Sequence, residues 1–194
     1  MMNIAIDCEA VNLSENELIS GFDCGDNDLN DFFNHDALNY QNQWLGCTCF
    51  FRHKENKKIV CAFSLAADSV KTFLLPNSRK KKVKELIPHE KSLQSYPSFL
   101  IGRLGVDVSF RKQDVGSQLL DYVKYHCTKR YPNFGRFLVV DAYNDASVLG
   151  FYLKNDFSFV FSTEQQEKEN LKKSLDDNAP LHTRQMFFDI MRLM

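Results

Sequence analysis

No apolar run in this 194-residue chain approaches the ~20 residues that cross a bilayer, so no membrane partner is expected. The opening Met1-Met2-Asn3-Ile4-Ala5-Ile6-Asp7 lacks the cationic and apolar stretches of a secretory signal, which points to a cytoplasmic chain. Net charge is missing too. The 24 Lys and Arg offset 25 Asp and Glu to leave −1, so no global field draws the protein to nucleic acid. Glycine (8) and proline (5) are scarce, and no repeat or low-complexity tract appears, which excludes fibrous and linker-rich architectures. The six cysteines (8, 24, 47, 49, 61 and 127) are scattered. Cys47 and Cys49 share a face of an expected strand, but no second Cys/His pair completes a zinc site. His35, His53, His89, His126 and His182 show no ligand spacing either, so reduced structural thiols and no metal are expected.

What is present is apolar and aromatic. Hydrophobic residues make up 44% of the chain, with 17 Phe, enough for the core of a single domain spanning 1–194. The lone Trp44 reads as a core or loop anchor. Residues 4–13 read as a first strand and turn. Asp26 stands at an N-cap position, ahead of a helical period that aligns Leu29, Phe32, Phe33, Ala37 and Tyr40. Residues 45–53 and 59–67 alternate as antiparallel strands around the polar loop Lys54-Glu55-Asn56-Lys57-Lys58. Further strands are expected at 99–108, 135–143, 157–163 and 185–191. Helices are expected at 117–130, burying Leu120, Val123 and Cys127 with Leu119 flanking, and at 145–155. This mixture predicts an α/β (α+β) fold.

Two segments are irregular. Residues 68–98 hold Pro76, Pro88 and Pro97 around a helical candidate at 80–87, which Pro88 should stop. This Pro/Lys-rich stretch reads as an insertion folded over the domain, with a lid as one role for it. Its run Arg79-Lys80-Lys81-Lys82-Val83-Lys84 suits a phosphate backbone locally and equally suits a solvated helix face. Residues 164–177, ending in Asp176 and Asp177, read as a charged helix or arm.

The chemistry concentrates where the strand at 99–108 empties into Phe110-Arg111-Lys112-Gln113-Asp114-Val115-Gly116-Ser117. A helix opening directly after such a turn aims unpaired N–H groups and a positive dipole end at whatever lies above it. That arrangement holds phosphates. Gly116 lets a pyrophosphate approach the backbone, Ser117 offers its N–H, and Arg111 and Lys112 add charge. Asp114 would repel it by near ~1 kcal/mol if exposed, but tolerates left-handed backbone better than most residues.

This loop, together with Asn144 and the later Gly150-Phe151-Tyr152-Leu153-Lys154-Asn155-Asp156-Phe157, resembles the GNAT superfamily of acetyl-CoA-dependent N-acetyltransferases. Its members carry an R/Q-x-x-G-x-G/A loop and a later helix ending near F-Y-x-x-x-G-F. Here Asp114 and Asp156 stand where the family prefers glycine. Phe22-Asp23-Cys24-Gly25 and Ile101-Gly102-Arg103-Leu104-Gly105-Val106-Asp107 are similar to the toxin branch, whose members acetylate the free amine of aminoacyl-tRNA.

The resemblance implies a mixed, mostly antiparallel sheet flanked by helices, with splayed central strands. It implies acetyl-CoA as cosubstrate, held by residues 111–117 (Gln113 and Val115 included). Backbone at Leu104, Gly105 and Val106, where a bulge is expected, would face the thioester, and Asn144 would act as helix cap, cofactor contact or both. Tyr152 would protonate the departing thiolate, a reasonable transfer from a phenol of pKa ~10 to a thiolate whose acid lies near ~8.5. No general base is evident, which suits an α-amine of pKa ~7.7–8.0 better than a lysine at ~10.4. Arg79, Lys80, Lys81 and Lys82 would then meet tRNA, and a small antitoxin would be a partner; a homodimer stays open. The rival readings are a transferase for small amines or protein N-termini, and an inactive acetyl-CoA-binding module.

Overall fold

The computed structural model describes residues 2–87, 93–171 and 179–194. Pro88 and His89, and with them the expected helix stop, lie outside the described residues, as does the end of the charged segment at 172–177. The chain opens with a correction. Asn3 accepts a hydrogen bond from the Ala5 N–H, and Asp7 accepts one from the Asn3 N–H at 2.8 Å. These bonds close one helical turn, α1 (Ile4–Asp7), before β1 (Cys8–Asn12) begins.

Asp26 caps α2 (Asn27–Asp31) as expected, its carboxylate accepting from the Leu29 N–H at 3.0 Å. A π-helical turn, Phe32–Asp36, leads into α3 (Ala37–Asn42). Phe32, Phe33 and Ala37 are buried, and Tyr40 stays partly exposed with its ring 5.7 Å from that of Phe32. Trp44 is no core anchor: it sits at φ 61 and is 94% exposed. β2 (Cys47–His53) and β3 (Ile59–Lys71) form the expected antiparallel pair. α4 (Asn77–Val83) starts earlier than expected, because the Pro76 carbonyl already accepts from the Arg79 and Lys80 N–H groups. β4 (Ser95–Val106) also starts earlier, and it ends at Val106, where the Asp107 carboxylate caps a short 3-10 turn through the Ser109 N–H.

The remaining elements are α5 (Val115–Arg130), β5 (Phe137–Tyr143), α6 (Ala146–Lys154), β6 (Ser158–Phe159), α7 (Glu164–Leu171) and β7 (Thr183–Asp189). The strands form a mixed sheet in the order β1-β2-β3-β4-β5-β7-β6. Pairs β1/β2, β2/β3, β5/β7 and β6/β7 are antiparallel, and β4/β5 is parallel. That parallel ladder runs only from Ser98↔Phe137 to Leu100↔Val139, although β5 stays paired with β7 as far as Tyr143↔Thr183. A short central ladder is what splayed central strands require.

The chain gathers into two compact units: Met1–Ala67 with Ile101–His126, and Asp68–Leu100 with Cys127–Met194. In the first, β2 and β3 are buried on both faces. Phe50 and Ala62 join Phe22, Phe32, Phe33 and Ile19 in one cluster. Phe51 and Phe63 meet Tyr122 of α5 edge-to-face at 4.8 and 6.1 Å. Alternation along each strand thus serves two layers at once. Burial pushes the thiols of Cys8 up to about 11 and Cys49 up to about 12, so both behave as packing groups.

In the second unit, Val70, Leu75, Val83 and Tyr96 share a cluster with Phe137, Val139, Val160, Phe161 and Phe187. The described part of the insertion therefore contributes Val70, Leu75, Val83 and Tyr96 to the core. Arg79 donates to the Val160 carbonyl at 2.9 Å and to the Phe159 carbonyl, so α4 covers the outer strand β6, a common protection for an exposed sheet edge. The charged segment begins as a helix that also turns inward. Glu167 of α7 is 0% exposed and pairs with Arg184 of β7 at 2.7 Å, while the Arg184 guanidinium lies 4.8 Å from the Phe159 ring.

Candidate functional site

In the first unit lie residues 104–106 and 111–117. The loop keeps the backbone its glycine-preferring pattern demands without that glycine. Lys112 and Asp114 both take positive φ, 60° and 59°, and are the loop's only residues to do so. Such alternation curls successive N–H groups toward one side. The Asp114 carbonyl then accepts from the Gln118 N–H at 3.2 Å and starts α5, whose buried face is Val115, Leu119, Leu120, Val123 and Cys127. Lys112 and Asp114 are exposed. Gln113 faces the N-terminal segment, accepting from the Met2 N–H at 3.3 Å. Gln118 beside it takes both the Met2 carbonyl and the Ile4 N–H, each at 2.9 Å.

The two stretches similar to the toxin branch prove to be one assembly. A Cβ at Gly105 would lie 3.2 Å from the Phe22 ring and 3.3 Å from Cys24 Cβ, so close packing against Phe22 and Cys24 requires this glycine. The Asp23 N–H donates to Asp107 at 3.2 Å, and the Val108 N–H donates to the Asp23 carbonyl at 2.8 Å. Asn30 of α2 accepts from the Cys24 N–H and donates to the Asp23 carboxylate, both at 2.8 Å. The Gly25 N–H and Asn30 hold the Asp23 carboxyl below the usual carboxylate range, with a smaller pull from Arg111. Arg103, on the same face of β4 as Gly105, lies 5.1 Å from the Phe32 ring and 3.8 Å from Asp28. Asp23, Asn30, Arg103 and Asp107 were not marked as site residues by sequence. Asp23 meets Asp107 84 residues away and Arg103 reaches from β4 to α2, whereas Asn30 bonds Cys24 and Asp23 only six and seven residues back.

In the second unit lie Asn144, Tyr152 and residues 79–82. Asn144 is not the helix cap. Asp145 takes that place, accepting from Ser147 and Val148 N–H groups at 2.8 and 3.2 Å. The Asn144 amide instead donates to Glu164 at 3.0 Å and to the Leu181 carbonyl at 2.9 Å. Glu164 also accepts from the Leu181 N–H, and that bond leads the causes that lower its carboxyl. Tyr152 is 6% exposed, its ring flanked by Phe151 and Phe157 at 5.2 and 5.3 Å. Burial pushes its phenol above the ordinary range.

Asp156 has φ 66 and ends α6 in a Schellman motif: the Phe157 N–H bonds the Tyr152 carbonyl at 3.0 Å, and the Asp156 N–H bonds Leu153 at 3.1 Å. Both aspartates that replace a preferred glycine thus adopt the left-handed backbone. Arg79 is committed to the Phe159 and Val160 carbonyls; Lys82 pairs with Glu85 at 3.1 Å. Among the described residues, no cluster of His, Cys, Asp and Glu could hold a metal ion.

No protein-family model matches the sequence, and no curated protein does. Solved structures match its fold over nearly its whole length. A Tyr-to-Phe mutant of KacT aligns with a TM-score of 0.67 at 20% identity, covering 97% of this chain and 99% of that one. AtaT complexed with acetyl-methionyl-tRNAfMet aligns at 0.67 and 18%, covering 96% and 97%. A Tyr-to-Phe mutant of the AtaT toxin, bound to the C-terminus of the antitoxin AtaR and acetyl-CoA, aligns at 0.64 and 16%, covering 96% of each. The chain has the fold of the GNAT toxins. At these identities the likeness is one of fold.

Proposed function

We propose that this protein is a GNAT-type N-acetyltransferase that moves an acetyl group from acetyl-CoA to the α-amine of an aminoacyl-tRNA. The observation that carries the reading is the left-handed pair Lys112 and Asp114 at the foot of the 16-residue α5, in a chain with this fold. The backbone amides of 112–117 would hold the pyrophosphate, with Lys112 adding charge. Residues Leu104, Gly105 and Val106 would pair with the pantetheine amides and the thioester oxygen, as an extended ligand pairs with a strand edge. Solved structures with this fold support the choice of ligands: one is a complex with acetyl-methionyl-tRNAfMet and another with the C-terminus of an antitoxin and acetyl-CoA. A small antitoxin is accordingly the proposed partner.

Tyr152 would act as the general acid. Its burial keeps the phenol protonated through the physiological range, so it always has a proton to give, while making it a weak acid. Relatives solved as Tyr-to-Phe mutants are consistent with a tyrosine of consequence in this fold. Asn144 would steady the start of α6 through its tether to Glu164 and Leu181. With Arg79 held by backbone carbonyls and Lys82 paired with Glu85, Lys80 and Lys81 are the cations of residues 79–82 that would meet the tRNA backbone.

The test pairs calorimetry with turnover. Labelled acetyl-CoA and aminoacyl-tRNA should give acetylated tRNA, and Tyr152→Phe should bind acetyl-CoA normally while turnover falls at least ~100-fold. tRNA left unmodified after long incubation would remove the tRNA reading, and small amines and protein N-termini in the same assay would locate another acceptor. Absent heat at millimolar acetyl-CoA would remove the enzyme reading altogether.

A further inference from the structure

We infer that Arg111 is a positioning residue whose guanidinium braces the 111–116 loop against the Cys24-Gly25 turn. The inference rests on the proposed acetyl-CoA reading for what the loop binds. Its observations are independent of that reading. Arg111 Nη2 donates to the Cys24 carbonyl, so the cation that the motif would offer a phosphate is already engaged with backbone. Gly25, at φ 76, makes room for it: a Cβ there would stand 3.0 Å from Nη2 and 3.5 Å from the guanidinium carbon. The receiving turn is itself fixed, through Asp23 to Asp107 and Val108 and through Asn30 to Cys24. The loop needs such support, because Lys112 and Asp114 hold left-handed backbone against the preference of residues with side chains. A planar, always-charged fork gripping a carbonyl supplies it in a way that lysine does not.

Gly21 provides a control. It too has positive φ, 68°, but a Cβ there meets nothing within 4 Å. Gly21→Ala therefore carries backbone strain alone, while Gly25→Ala carries strain and displaces the guanidinium. Arg111→Ala and Gly25→Ala should each weaken acetyl-CoA binding about tenfold, the scale of one hydrogen bond to a charged group, whereas Gly21→Ala stays near wild type. The Arg111→Ala/Gly25→Ala double variant should bind no worse than Arg111→Ala alone. In the ligand-free protein, amide exchange across 112–118 should quicken in both single variants and not in Gly21→Ala.

Equal effects of the two glycine variants, or effects of Arg111→Ala and Gly25→Ala that multiply, would overturn the brace. So would weaker binding in Arg111→Ala with unchanged exchange, which marks a direct phosphate contact. If the wild type binds no acetyl-CoA, the functional reading fails, and the exchange comparison by itself decides the brace.

Discussion

Replacing Asp156 with glycine should make this protein more stable, although it deletes a charged residue from a motif of the candidate site. Asp156 is exposed and occupies the left-handed position that closes α6, between the Asp156–Leu153 and Phe157–Tyr152 backbone bonds. A residue with a Cβ pays about 1 kcal/mol there that glycine does not. Its carboxylate also stands beside the negative end of the helix dipole, opposing it by about 0.3–0.5 kcal/mol at the surface. Glycine's added freedom in the unfolded chain takes back roughly 0.5 kcal/mol. The balance is about 1 kcal/mol in favour of Asp156→Gly, which for a chain of this size raises Tm by about 2–4 °C. Asp156→Ala should move the other way by up to about 0.5 kcal/mol, since it keeps the strained backbone and loses the local tolerance of aspartate, about 0.5–1 kcal/mol, while shedding the same opposition to the dipole. Urea titrations with an unchanged slope would confirm that both effects lie in stability. A glycine variant no more stable than wild type, or an alanine variant as stable as the glycine one, would refute the argument.

Other outcomes follow from the second unit. Glu167→Ala should cost about 3–5 kcal/mol in urea unfolding by removing the buried carboxylate that pairs with Arg184 and accepts from the Gln185 N–H, while Glu167→Leu combined with Arg184→Met should recover most of it; a single variant within 1 kcal/mol of wild type would contradict this. Tyr96 has a buried hydroxyl with no hydrogen-bond partner among the described residues, so Tyr96→Phe should be neutral or stabilising by up to about 1 kcal/mol in a thermal melt. A clear loss would reveal a partner for that oxygen.

Glu164 is held below its ordinary value of 4.5, chiefly by the Leu181 N–H and the Asn144 amide. A depressed carboxylate contributes stability above its unfolded pKa, and that contribution fades as pH falls through the folded one. Glu164→Gln should therefore be less stable than wild type at neutral pH and converge with it in acid, below about pH 4. Parallel stability curves down to the acid limb would rule out this linkage.

Much of the fold was legible because the deciding residues act locally. Asp26 caps its helix by reaching three residues ahead, and the apolar period of α5 names its buried face without reference to the rest of the chain. The loop was legible for the same reason: aspartate is one of the few residues that tolerate left-handed backbone, and both substituted positions adopt it. Local rules also misled. Asn144 and Asp145 are equally plausible caps by residue type, and only the chain path gives the place to Asp145. Trp44 reads as a core or loop anchor, yet the turn after α3 leaves it in water. Residues such as Glu167 and Lys168 look solvated by composition, but α7 buries both.

Local chain chemistry sufficed for the Asp26 cap, the apolar face of α5 and the left-handed tolerance of Asp114, each a matter of neighbours within one or two turns of chain. Where the long charged side chains end depends on contacts between distant segments. Arg79 finds carbonyls 80 and 81 residues away, and Arg111 finds one 87 residues away. A guanidinium on a flexible stem can satisfy its donors with phosphate, carboxylate or backbone alike, and the fold selects among them by which acceptor it leaves unpaired within reach.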